Sequence, residues 1–397
     1  MLGGSAQQVI AIETAKKLGY YTVLCDYLTD NPGQYVADKF YLLSTTDKEA
    51  ILKVAYDEKV DGVIAYASDP AAPTAAYVAE KLGLPGNPYK SVEILCNKDK
   101  FREFLLQNDF CVPKAKGYKA SIDAERDIRL GYYNFPIIIK PVDSSGSKGA
   151  TVINNIDSKN IEEAIRFAFS FSRSKCIVIE EFIEKKHQYL IGGDVFVSDG
   201  KIVLWGLMNC HRDNKVNNLV PVGKSYPPDI EENDLKTIKD TLSSIVQKLD
   251  IKDGAMNVEF IVDKTGKAYP IDIGPRNGGN MIPDLLGYIF DVDVVEMSIK
   301  SAMGLKSCCG EKNGVLYYAT HNLHSAKNGI LDYIEFSELI EKHIIKKCIY
   351  KKKNDTIEFF DNASKALGVV FMKFENVETM NEVLNNINDH IKIQFKI

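Results

Sequence analysis

An apolar run that ends on a lysine constrains this chain more than any other single feature. Residues 135–140 read Phe-Pro-Ile-Ile-Ile-Lys, a length that suits a strand better than a helix. Pro141 follows, then Ser144, Ser145, Gly146, Ser147, Lys148 and Gly149, and a second strand-like stretch covers 150–154. The pattern predicts two strands joined by a hairpin-like, glycine-rich connection. Glycines let backbone N–H groups approach a ligand, and serine hydroxyls add donors. Beside a strand-end lysine, such a loop suits a polyphosphate. The alternative for the loop alone is a flexible turn. Neither GxxxxGK[ST] nor GxGxxG occurs, so two other phosphate-binding fingerprints do not apply.

A second feature is a pair of carboxylates on neighbouring strands. Glu259 lies in Asn257-Val258-Glu259-Phe260, and Asp272 in Ile271-Asp272-Ile273-Gly274-Pro275-Arg276. The turn Lys264-Thr265-Gly266 folds one strand against the other. Both carboxylates can then share a face near one end of the hairpin. Mg²⁺ accepts one or two carboxylates alongside phosphate oxygens and water, so the pair is a candidate metal platform. Arg276 could reach a terminal phosphate with its planar fork. Taken alone, two solvated strand carboxylates are the simpler reading. Glu180-Glu181-Phe182-Ile183 closes a third apolar strand, 176–183. There a strand edge could meet a base and a glutamate accept from its amino group; a plain charged strand end is the alternative.

Around these features the chain alternates element types. Strands are expected at 21–25 and 60–66, with a helix over 5–18, which implies βαβ units and a parallel sheet in the first ~95 residues. Gly3-Gly4-Ser5 is a glycine turn with only Met1-Leu2 ahead of it, so either the first strand is very short or the start lies upstream. Residues 82–88 (Leu-Gly-Leu-Pro-Gly-Asn-Pro) punctuate the chain. Helices are expected over 160–171 and 235–249, and hairpins around Asp199-Gly200 and Lys264-Thr265-Gly266. The last ~90 residues read as a small α+β unit, with a strand at 369–374 and a helix at 380–387. The polar segment 209–228, with Cys210, His211, Arg212 and Lys215, reads as a substrate loop in which Arg212 could clamp a carboxylate; an ordinary surface loop is the alternative.

Composition narrows the function classes. The 397 residues are 45% hydrophobic and 26% charged, with a net charge of −5, which fits a folded globular chain and argues against a general nucleic-acid binder. No stretch reaches the ~18 apolar residues of a membrane span, and the N-terminus carries no export signal. Eight scattered cysteines without CxxC spacing argue against a disulfide framework or zinc cluster and for a reducing cytoplasm.

In their order and spacing these signals resemble the ATP-grasp superfamily of ligases, in its biotin carboxylase and carbamoyl-phosphate-synthase-like branch. The resemblance implies an α/β and α+β chain in three parts. These are a Rossmann-like domain at 1–95, an ATP-grasp core at 96–305 with a mobile cap at about 114–182, and a small C-terminal α+β domain at 306–397. Within Asn97-Lys98-Asp99-Lys100-Phe101-Arg102, Lys98 matches a phosphate-contacting lysine and Lys140 a second. Ser144 to Gly149 match the mobile phosphate loop. Glu180 matches the adenine acceptor, with the backbone of Glu181 and Ile183 at the base edge. Glu259 and Asp272 match the magnesium carboxylates, and Arg276 the arginine near the transferred phosphoryl group.

Two positions depart from the pattern. His187 stands where the family often has a ribose-binding glutamate. Asp272-Ile273-Gly274 replaces Glu-x-Asn, leaving a third metal ligand to water, Asn277 or Asn280. What the resemblance implies is a carboxylate–amine ligase that uses ATP and Mg²⁺, with Mn²⁺ as the substitute metal, and passes through an acyl phosphate. Its partners would be a small carboxylate and a small amine, with a homodimer expected. The rivals are a purine-pathway-like enzyme activating bicarbonate or formate, and an ATP-binding protein without catalysis. His321-Asn322-Leu323-His324 has metal-like spacing but no evident carboxylate to complete it. Lys346, Lys347 and Lys351 to Lys353 read as a solvated sheet edge, and Cys210 beside His211 lacks the third group of a nucleophilic triad.

Overall fold

The computed structural model describes residues 1–157, 159–307 and 316–396; Cys308 and Cys309 lie outside them. The backbone of the molecule is one eight-stranded sheet. Its strands run in the order Ala268–Gly274, Gly254–Val262, Leu190–Ser198, Lys201–Asp213, Asn217–Tyr226, Tyr317–Leu323, Gly368–Phe374 and Ile344–Ile349. The named pairs along it are antiparallel. The helix Glu232–Lys248 buries Ile238, Leu242 and Ile245 against Ile191, Val195 and Val258 on one face. The helices Ile282–Phe290 and Val294–Ala302 cover the other, where Phe196, Met208, Leu286 and Phe371 pack together. Alternating inward side chains on each strand make both contacts possible at once.

A separate four-stranded sheet, ordered Ala115–Tyr118, Ile177–Glu181, Ile137–Pro141 and Thr151–Ile153, carries the lysine-ended strand. The helices Ser121–Arg129 and Ile161–Phe171 pack on it through Ala124, Ile128, Ile161 and Ile165. The expected hairpin between 135–140 and 150–154 forms, with Ile137 opposite Ile153.

Three expectations change. Residues 60–66 form no regular strand: Leu2, isolated in a single bridge to Cys25, donates its N–H to Ile64 O and leaves too short a partner for a ladder. Segment 209–228 is not a loop. It holds the end of Lys201–Asp213 and all of Asn217–Tyr226, two interior strands of the large sheet. The C-terminal strands Tyr317–Leu323, Gly368–Phe374 and Ile344–Ile349 continue that same sheet, with Tyr318 opposite Tyr226. The lysine-bearing strand Ile344–Ile349 is its outer edge, where charged side chains discourage further pairing.

Candidate active site

Asn97 begins the site. Its side chain accepts from Lys100 N at 3.1 Å and caps the helix Lys98–Gln107. Lys98 opens that helix, and Arg102 lies one turn on, on the same side. Lys98 Nζ donates to Ser144 O at 2.9 Å and stands 3.6 Å from Asp272. Arg102, only 4% exposed, donates to Glu180 Oε1 at 2.9 Å and to Ile271 O at 2.7 Å.

Lys140 reaches Glu180 from the neighbouring strand, 2.8 Å from Oε2. Glu180 is thus a buried carboxylate held by two cations. Burial alone would raise its pKa, but Arg102 and Lys140 outweigh it and bring it down to about 2. Burial lowers the pKa of Lys140, and Glu180 opposes that shift. Both Glu180 oxygens accept from cations, because the cap strands and the helix Lys98–Gln107 converge on it.

Glu259 and Asp272 are direct partners across the hairpin, as their spacing predicts. Arg212 donates to Glu259 Oε1 at 3.2 Å, and Lys224 Nζ lies 3.9 Å from the same oxygen. Burial pushes the Glu259 pKa up; Arg212 and Lys224 more than reverse the shift and keep it below the usual carboxylate range. Gly192, opposite Glu259, leaves this floor open: a Cβ there would meet Val258 O at 2.3 Å. Lys224 also donates to Cys210 Sγ at 2.7 Å, and burial raises the pKa of that thiol.

The serine-rich loop closes over these groups. Gly146 and Ser147 both adopt positive φ, +65° and +62°, which folds the connection back sharply. Ser147 Oγ then donates to Leu219 O at 2.9 Å. The result is an open cleft with a cavity volume of about 190 Å³. Lys98, Lys140, the loop from Ser144 to Lys148, Glu180, Glu181, Ile183, Arg212, Glu259 and Asp272 line it.

Three expected site residues lie elsewhere. His187 turns away to Asp234, with Nε2 2.7 Å from Oδ2, because Asp234 at the start of the helix Glu232–Lys248 also binds Lys186. Gly149 packs beside Pro141 and Phe171, so it shapes the turn rather than the cleft wall. Arg276 is held by Asp69, with Nε 2.7 Å from Oδ1 and Nη2 2.5 Å from Oδ2. Asn277 is 2% exposed and Asn280 donates its N–H to Gln7 Oε1; neither lines the cleft. His324 does find a carboxylate, Asp213, at 3.1 Å, yet no group of three metal-ligating side chains occurs among the described residues.

Sequence reasoning overlooked Arg102, Lys224, Asp69 and Asp194. Arg102 had a signal, closing the motif that Lys98 opens. Lys224 was hidden by the loop reading. Asp194 is fully buried and accepts from Gly278 N at 2.7 Å and Asn257 Nδ2 at 2.8 Å. Burial raises its pKa to about 6 against those two hydrogen bonds.

Residues 133–284 match the family described as the ATP-grasp domain. That stretch, 152 of the 397 residues (133 to 284), is the part of the chain that the ATP-grasp family covers. The chain's fold is shared with solved structures. An L-amino acid ligase from Bacillus licheniformis superposes with a TM-score of 0.82 at 20% identity, covering 100% of this chain and 98% of that one. A phosphoribosylglycinamide synthetase from Anaerococcus prevotii gives 0.75 at 20% identity over the same shares. In sequence, a formate-dependent phosphoribosylglycinamide formyltransferase from Prochlorococcus marinus strain NATL2A is 30% identical over 188 residues, 46% of this chain and 47% of that protein. The chain thus spans about half the length of that curated relative. Among the described residues no helix is long and apolar enough to cross a membrane.

Proposed function

We propose that this protein is an ATP-dependent carboxylate–amine ligase that works through an acyl phosphate and releases ADP and phosphate. The observation that carries the reading is the convergence of Lys98, Lys140, Glu259, Asp272 and the loop Ser144 to Ser147 on one cleft. Two lysines and a ring of small donors suit a triphosphate. Glu259 and Asp272 form a donor set that fits Mg²⁺ or Mn²⁺, two hard carboxylates side by side with room for phosphate oxygens. The bound metal would supply neutralisation of the triphosphate charge.

In this reading Lys98 and Lys140 hold the phosphates. Arg212 orients the substrate carboxylate, one oxygen of which attacks the γ-phosphorus as the bond to ADP breaks. An amine nitrogen then attacks the acyl carbon, loses its proton, and phosphate leaves. The closed loop keeps water from the acyl phosphate. Free Cys25, Cys96, Cys111, Cys176, Cys210 and Cys348 support a reducing, cytoplasmic setting. We keep the division at 1–95, 96–305 and 306–397, and the homodimer, as parts of the same proposal.

Hydroxylamine trapping with Mg-ATP across a panel of carboxylic acids tests it. Hydroxylamine replaces the amine and converts an acyl phosphate into a stable hydroxamate. A hydroxamate with equal ADP is the expected result. ADP release that requires bicarbonate or formate would favour the second reading, for which the likeness to the formate-dependent enzyme speaks. Mg-ATP binding without ADP under every mixture would leave a non-catalytic nucleotide binder.

A further inference from the structure

Arg276 stands behind the cleft wall, where its charge still reaches Asp272 and Glu259. Asp69, from the turn ahead of the helix Ala72–Leu82, meets its guanidinium with both carboxylate oxygens, at 2.7 and 2.5 Å. This fork-to-fork pairing fixes direction as well as charge. The pair is secluded, with side chains 12% and 20% exposed. Burial would raise the pKa of Asp69, but Arg276 above all, then Lys98 and the Ser145 hydroxyl in the loop over the cleft, hold it below the usual carboxylate value. Lys98 holds the adjacent Ser144 O.

The approach of Asp69 depends on a missing side chain. A Cβ on Gly274 would stand 2.5 Å from Asp69 Oδ1 and 3.1 Å from Arg276 Cζ. Gly274 lies two residues beyond Asp272 on the same strand, so it shares the face of that carboxylate. The space where residue 274 would project is filled by a carboxylate from a segment 205 residues away in sequence (274 − 69).

We propose that Asp69 is a positioning residue for phosphoryl transfer: through Ser145 and Arg276 it ties the phosphate loop and the arginine to one anchor on the N-terminal segment, and Gly274 is the opening that admits it. The inference rests on the ligase reading for its kinetic consequence, not for its structural one. Asp69 holds Arg276 through charge and direction, and a positional error of about 1 Å at such a group can lower turnover about 100-fold.

Two variants test it from opposite sides. Asp69→Asn keeps the shape and removes the charge. Gly274→Ala keeps the charge and displaces the carboxylate. Urea unfolding first establishes that each is folded, so that either can serve if the other is not. Each is expected to lower kcat about 100-fold while the KM for ATP stays within about threefold. In an Arg276→Gln background, Asp69→Asn should add nearly nothing, since both act through one group. Losses that multiply, or an unchanged kcat, overturn the proposal.

A second readout needs no turnover. Amide hydrogen exchange of residues 144–149 in the ligand-free protein should quicken at least about threefold in Asp69→Asn, because the loop loses an anchor. Unchanged exchange overturns the anchoring. If the wild type forms neither hydroxamate nor ADP with any acid, the ligase reading has failed, and the exchange result still decides for Asp69.

Discussion

Lys140 Nζ stands 2.8 Å from Glu180 Oε2, with both side chains more than nine-tenths buried. Lys140 is therefore positioned by a carboxylate within the folded chain itself. Arg102 on the other oxygen completes a triad in which one anion serves two cations.

Removing that anion should be costly. Glu180→Gln leaves Arg102 and Lys140 buried without a countercharge, and a stability loss of about 3–5 kcal/mol is expected. The urea midpoint of the variant against the wild type checks it. The same carboxylate has a folded pKa of about 2 against an ordinary 4.5. Its contribution is fully present above pH 4.5 and disappears as pH falls towards 2. The stability difference between wild type and variant should narrow over that interval.

Asp194 runs the other way. Its pKa is raised from 3.8 to about 6, so its contribution is greatest below pH 3.8 and is lost as pH rises through 6. Unfolding midpoints from pH 4 to 7 should show a downward component in the wild type that is absent in Asp194→Asn.

Lys140→Ala and Asp272→Ala should each abolish turnover and leave the protein folded. Glu180 keeps Arg102 in the first variant, and Asp272 is 44% exposed in the second. ADP release together with thermal unfolding separates catalytic loss from collapse. Near-normal turnover in either variant would refute the assigned roles.

Arg212→Ala should raise the KM for the carboxylate about tenfold or more, as expected for a lost charge-assisted contact, and leave that for ATP within about twofold. Lys224 still faces Glu259 in this variant, so the carboxylate wall keeps one cation. Steady-state kinetics with each substrate varied in turn decides. An unchanged carboxylate KM removes Arg212 from the clamp.

What was legible in the sequence was what short-range chemistry writes there. The strand ending at Lys140, its glycine-serine connection, and the register of Glu259 with Asp272 all follow from patterns within about twenty residues. Segment 209–228 misled because His211, Arg212 and Lys224 look like surface residues. Inside the sheet they are satisfied by Ser225, Glu259 and Cys210, partners that only folding supplies. Arg102 and Glu180 meet across 78 residues, and Arg276 and Asp69 across 207. No local periodicity encodes such pairs. His187 escapes local reasoning in the same way, since its ring pairs with Asp234, 47 residues away.

The continuity of the large sheet bears on how the protein can be divided. Asn217–Tyr226 is hydrogen-bonded on one side to Lys201–Asp213 and on the other to Tyr317–Leu323. A fragment cut after residue 305 would bare the stretch from Gly223 to Tyr226 on that second side as an edge, open to pairing with any other chain. Lys224 sits on that edge, 3.9 Å from Glu259. Expressing residues 1–305 by themselves would therefore invite aggregation and loosen the carboxylate wall in the same cut.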